Sequence, residues 1–131
     1  HDTVAVHADT LADNDRGYFP RRGVLDRLWN PRAGCHVVRH LNAALNRIDG
    51  PLTAGRSEAC AGGHYVTLQS GRGPVILALP KASAREITVP AGPGRRIDLR
   101  SGIIEPADGD GSSLSIALGD GDAAPVLVIP D

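Results

Sequence analysis

The sequence is poor in aromatic side chains, has no methionine and carries almost no net charge. Its 131 residues include only four aromatic ones, which are Tyr18, Phe19, Trp29 and Tyr65. A module that stacks sugars or bases on aromatic rings usually carries more of them, so the composition does not favour a lectin-like role. The formal net charge of −1 provides no electrostatic attraction to nucleic acid or to an anionic membrane, and we expect neither as a partner.

Long apolar runs and a leader sequence are also lacking. No stretch approaches the ~20 apolar residues that span a bilayer. Residues 1–15 lack the basic start and the apolar core of a signal peptide. We therefore expect no membrane span. We predict a secreted or extracytoplasmic location, with the leader removed or lying upstream, and a cytoplasmic location stays open.

The chain has only two cysteines, Cys35 and Cys60. A disulfide between them would join the predicted helix to the predicted strands and contribute roughly 3 kcal/mol by the loop-entropy estimate. It would also favour an exported protein. Two unpaired thiols are the alternative. We carry the Cys35–Cys60 disulfide forward as a prediction.

One long amphipathic helix is predicted from residue 31 to about residue 48. Asn30 suits the N-cap position and Pro31 the first helical position. Gly50 and Pro51 provide the C-terminal stop. The apolar residues that follow the 3.6-residue period of one buried face are Val37, Val38, Leu41, Ala44, Leu45 and Ile48.

Short strands separated by turn residues follow the helix. The predicted strands are residues 65–69, 75–79, 86–89, 96–99, 103–105, 114–118 and 126–129. Their spacing is typical of an antiparallel β-sandwich. We predict three parts: a terminal β/α unit (residues 1–50), a connector (residues 51–63) and a β-sandwich accessory domain (residues 64–131).

The first part reads as strand, loop and helix. Residues 1–8 alternate weakly like a short strand, residues 9–22 are polar, and the helix follows. This order is one β/α unit, as at the end of a (β/α)8 barrel. Because a lone unit cannot bury its own strand, we predict an α+β fragment whose upstream barrel lies on a separate chain or a missing segment.

Residues 21–45, RRGVLDRLWNPRAGCHVVRHLNAAL, resemble the closing segment of retaining TIM-barrel glycoside hydrolases. The residues that match this segment are Gly23, Val24, Leu25, Asp26, Asn30, Pro31, His36, Val37, Val38, Arg39 and Leu41. The resemblance implies that the chain is the C-terminal portion of such an enzyme, with a β-sandwich packed on the barrel. It also implies glycosidic-bond hydrolysis, a carbohydrate substrate and an upstream barrel polypeptide as partner.

In that family two glutamates at barrel-strand ends act as nucleophile and acid/base. The glutamates here, Glu58, Glu86 and Glu105, lie in the connector and the predicted sandwich. We therefore expect no catalytic residue, no cofactor and no activity from this chain alone. His7 and Asp9, at the end of the predicted barrel strand, are the candidate substrate-binding residues, and solvated loop polars are the alternative.

Two further patterns are weaker. His36 and His40 share one helix face at i, i+4, but no second ligand pair accompanies them, so we expect structural histidines and no metal. Residues 108–113 lack the closing glutamate of a Ca²⁺ loop and predict a β-turn.

The alternative function is that of an autonomous secreted β-sandwich module, which acts as a binding or adaptor domain without catalysis. The two functions differ in whether the strands cover the apolar helix face or leave it exposed.

Overall fold

The computed structural model describes residues 24–26, 28–119 and 123–131. Within these ranges the chain forms one helix and eight strands. The elements in chain order are α1 (Ala33–Leu45), β1 (Thr53–Cys60), β2 (Gly63–Ser70), β3 (Gly73–Pro80), β4 (Glu86–Val89), β5 (Gly94–Asp98), β6 (Ile104–Ala107), β7 (Leu114–Ala117) and β8 (Val126–Pro130).

The strands form two antiparallel sheets. Six of them lie in the order β1-β2-β3-β8-β5-β6, and β4 pairs with β7 in a separate two-stranded sheet. The predicted β-rich, antiparallel architecture is therefore confirmed, and strands β2 to β8 coincide with the seven predicted ones. Thr53–Cys60, which fall in the predicted connector, form β1 instead. The three-part division of the chain stays a prediction.

The central strands β3 and β8 are apolar without alternation because both faces of the six-stranded sheet are covered. In β3, Ile76 and Ala78 belong to a first core between the two sheets, and Val75 belongs to a second core on the opposite face. Neighbouring side chains of a strand point to opposite faces, so an uninterrupted apolar run is what two covered faces require.

Helix α1 covers the second core. Leu41 and Ala44 are buried there, and Val37, Leu45 and Ile48 are partly buried against the same cluster. Their partners are Leu68 in β2, Val75 in β3, Ile97 in β5, Leu99 just after β5, and Leu127 in β8. The chain's own sheet thus covers most of the apolar helix face, and Val38, which was predicted on that face, is not part of the cluster.

This packing corrects the predicted fold. The last β/α unit of a (β/α)8 barrel is wrong, because the described residues show one short helix lying on an antiparallel sheet and no barrel unit. The resemblance to the end of a TIM-barrel glycoside hydrolase is wrong for the same reason. An amphipathic helix has the same apolar stripe whether it covers a barrel or a flat sheet, so its sequence could not distinguish them. The predicted strand at residues 1–8 lies outside the described residues.

The helix is also shorter than predicted. It begins after Arg32 and ends at Leu45, with Asn46 as its C-cap. Asn30 does not cap the helix, because its side-chain amide donates to the Asp26 carboxylate. Pro31 lies outside the helix and forms a β-bridge with Leu25. The predicted N-cap is therefore wrong: these residues close a loop before the helix starts.

The predicted disulfide is wrong as well, since Cys35 and Cys60 are both free. Cys60 ends β1 and packs against the first core. Cys35 lies on α1, which covers the second core. The six-stranded sheet lies between these two layers, and packed layers are ~10 Å apart, so the sulfur atoms cannot meet.

Candidate functional site

A cleft lined by described residues opens beside the ends of β5 and β6, on the side of the sheet that faces β7. It measures about 520 Å³, within the usual range of small-molecule sites. Its lining residues are Arg96, Asp98, Arg100, Ser101, Glu105, Ile116, Ala117, Leu118, Gly119, Ala124 and Val126. Charged groups therefore occupy one wall and small or aliphatic groups the other.

Arg96 and Glu105 form the first fixed polar pair of the cleft. They are direct neighbours across the β5–β6 ladder. The Nε and Nη2 atoms of Arg96 donate to Glu105 Oε2 at 3.0 and 2.7 Å. This leaves Nη1 of the guanidinium and Oε1 of the carboxylate for a ligand, one as donor and the other as acceptor.

Asp98 organises the turn that forms the end of the cleft. Its Oδ1 accepts from the backbone N–H of Arg100 at 2.9 Å and of Ser101 at 2.8 Å, and from Ser101 Oγ at 3.0 Å. Ser101 Oγ in turn accepts from the Ile103 N–H. A turn closed by its own side chains is rigid, so the polar groups that it presents hold their positions without a ligand.

These contacts also indicate what the cleft can do chemically. Each carboxylate accepts hydrogen bonds from fixed donors through one of its oxygens, so its position in the cleft is set before any ligand binds. What remains is a row of donors and acceptors facing an apolar wall that includes Ile116 and Leu118. This arrangement suits reversible binding of a small polar molecule.

His40 connects the helix to the same turn. Its Nδ1 lies 2.9 Å from the Leu99 carbonyl oxygen, and its Nε2 lies 3.0 Å from Arg39 Nη2. Because a guanidinium only donates, Nε2 accepts and Nδ1 carries the proton shared with Leu99. The ring rests on Gly102, where a Cβ would lie 2.8 Å from His40 Nε2. Helix α1 therefore helps to position the cleft turn.

A second feature lies just before the helix and presents the single tryptophan. The Asp26 Oδ1 atom accepts from the N–H groups of Leu28 at 2.7 Å and Asn30 at 2.9 Å, and Oδ2 accepts from the Asn30 side chain at 3.0 Å. Chiefly the side-chain bond from Asn30, and then the backbone bonds, lower the pKa of Asp26 below its ordinary 3.8. At the tip of this loop Trp29 has a left-handed φ of 66° and is 67% exposed.

The predicted site residues have different outcomes. His7 and Asp9 lie outside the described residues, so their role stays a prediction. Glu58 accepts from the Tyr65 hydroxyl, Glu86 contacts Ser115, and only Glu105 lies in the cleft.

The metal and turn predictions can be compared with the structure directly. Across the described ranges no group of three or more His, Cys, Asp or Glu side chains could hold a metal ion. The rings of His36 and His40 lie near each other, with centroids 6.3 Å apart and planes tilted by 34°, but both ring nitrogens of His40 are occupied. At residues 110–113 the Asp110 carboxylate closes a turn, as predicted, by accepting from Ser112 and Ser113. No described helix is long and apolar enough to cross a membrane.

No family model matches the sequence, and no curated protein matches it either.

Sequence reasoning missed Arg96, Asp98 and Glu105 as a group. The signal that could have found them is the register of the hairpin, because a turn over residues 99–102 places Arg96 opposite Glu105.

Proposed function

We propose that this chain is a non-catalytic binding module of the β-sandwich type, and that the cleft beside β5 and β6 holds a small ligand rich in hydroxyl groups, such as a saccharide. The observation that carries the proposal is the fixed polar wall of Arg96, Glu105 and the Asp98 turn facing an aliphatic wall. Hydroxyl groups both donate and accept, which matches a wall with both kinds of partner. Among the described residues no aromatic side chain lines the cleft, so recognition rests on these hydrogen bonds and not on ring stacking, in keeping with the scarcity of aromatics.

The packing of the helix supports an autonomous module over an enzyme fragment. Its apolar face is covered by the second core, so the chain's own sheet fills the role that an upstream barrel polypeptide was expected to fill. Glycosidic-bond hydrolysis by such a partner stays an untested prediction. The secreted or extracytoplasmic location also stays a prediction, and the free cysteines remove the disulfide that favoured it.

The test is an amide NMR titration of the chain with glucose, galactose, mannose and xylose. We expect saturable shifts at Arg96, Asp98, Ser101 and Glu105 with at least one of these sugars. Arg96→Ala should weaken that affinity about ten- to a hundredfold, because it removes charged hydrogen bonds. Shifts that survive Arg96→Ala, or the absence of shifts with all four sugars, would contradict the proposal.

Arg95→Ala is the matched control. Arg95 is the preceding residue of β5, so its side chain points to the other face of the sheet, and it lies outside the cleft lining. Its Nε is 3.9 Å from the Asp131 carboxylate in an exposed pair, which contributes little to stability. We expect Arg95→Ala to bind the sugar as the original chain does.

A further inference from the structure

The two edges of the six-stranded sheet are built differently. Strand β6 is only four residues long and contains Pro106, which has no N–H to donate. Short edges and edge prolines discourage pairing with another chain. Strand β1 is eight residues long, has no proline and is exposed from Thr53 to Ala59. One edge is therefore protected, and the other presents unpaired backbone groups.

We propose that β1 is the surface through which two copies of this chain pair. The two β1 strands would run antiparallel about a two-fold axis at Ser57, so that the two six-stranded sheets continue into one another. An interface with this symmetry uses the same surface on both copies, so the strand must complement itself.

The charges of β1 fulfil that condition. Arg56 and Glu58 flank Ser57, so the axis places Arg56 of each copy opposite Glu58 of the other. Arg56 makes no ion pair within the described part of the chain. Glu58 uses Oε2 to accept from the Tyr65 hydroxyl at 2.8 Å, which leaves Oε1 for a second copy. Directly opposed unlike charges stabilise antiparallel strand pairs.

The local backbone defines which part of β1 pairs. A bulge lies between Ala54 and Ser57, where Gly55 passes so close to Thr67 that a Cβ would lie 2.7 Å from its carbonyl oxygen. From Ser57 to Cys60 the register with β2 is regular. The pairing therefore relies on the regular half from Ser57 onward, and the bulge beside Arg56, which disrupts an edge, limits its strength. One strand per copy is a small interface, and we expect a concentration-dependent monomer–dimer equilibrium rather than a permanent dimer.

The test is sedimentation velocity of the full chain over a range of concentrations. We expect reversible dimerisation of the original chain. Arg56→Glu alone and Glu58→Arg alone should each weaken self-association about tenfold or more, because each places like charges opposite one another twice per dimer. An equimolar mixture of the two variants should associate again, because both contacts of the mixed pair are then between unlike charges.

The mixture separates an interface effect from a folding defect, since two misfolded variants would not restore each other. Lys81→Glu changes an exposed side chain and alters the net charge as Arg56→Glu does, and it should leave the equilibrium unchanged. Tyr65→Phe removes the hydroxyl bond to Glu58 and should also leave it unchanged. A chain that remains monomeric at every concentration, or a mixture that does not associate, would overturn the proposal.

Discussion

At the scale of single residues, two aspartate side chains fix the conformations of the loops described above, because their carboxylate oxygens accept hydrogen bonds from nearby residues of the same loop. Asp26 and Asp98 each accept three hydrogen bonds from residues two to four positions further along the chain. Asp26 holds the loop that presents Trp29, and Asp98 holds the turn at the cleft. The preference of aspartate for such local bonds is a property of the residue, so a sequence can indicate it in advance.

The Asp26 loop should open in acid at a pH below the ordinary carboxyl range. Its lowered pKa means that the ionised form stabilises the loop above pH 3.8, and that this contribution is lost as the pH falls through the lowered value. Trp29 is the only tryptophan, so its fluorescence reports the loop alone. We expect an emission change below pH 3.8 that is absent in Asp26→Asn.

Far-UV circular dichroism followed in parallel separates loop opening from unfolding of the whole chain. An emission change centred well above pH 3.8, or one that persists in Asp26→Asn, would contradict the assignment to Asp26.

At the scale of elements, the sequence predicts whether a segment forms a helix or a strand better than it predicts which elements that segment packs against. Alternating or continuous apolar runs bounded by turn residues identified β2 to β8, since these patterns are local. Strand β1 has no apolar pattern, because it is an exposed edge, so its sequence predicts a connector. The amphipathic stripe of α1 identified a helix but not its partner surface. The cleft depends on the pairing of β5 with β6 and β8, which is set over long sequence separations.

The connection between α1 and the β5–β6 turn can be tested with one glycine. Gly102 has a φ of +78°, and a Cβ there would lie 2.8 Å from His40 Nε2. We expect Gly102→Ala to lower the free energy of unfolding by about 1–3 kcal/mol, measured from urea midpoints.

Gly34 in α1 is the matched control, because among the described residues no atom outside its own stretch of helix lies within 4 Å of its added Cβ. Alanine is the better helix former there, so Gly34→Ala should raise the free energy of unfolding by up to about 1 kcal/mol. An unchanged or raised free energy of unfolding in Gly102→Ala would contradict the close approach of His40 to this turn.

At the scale of the whole molecule, three layers explain the composition. The helix, the six-stranded sheet and the two-stranded sheet enclose two cores, and the central strands β3 and β8 contribute to both. Aliphatic residues fill these cores with little aromatic volume, and Tyr65 is the single aromatic residue in the two clusters as described. The central claim is that these layers form one cooperative module in which α1 belongs to the sheet and not to a barrel.

Native-state amide hydrogen exchange tests that claim most directly. The amides of Leu41 in α1, Ile76 in β3 and Leu127 in β8 lie in the three elements that share the second core. If the layers are one module, these amides exchange only by global opening, with the same free energy and the same urea dependence. If Leu41 exchanges through a separate, smaller opening while Ile76 and Leu127 stay protected, the helix is only loosely attached and the claim of a single module fails.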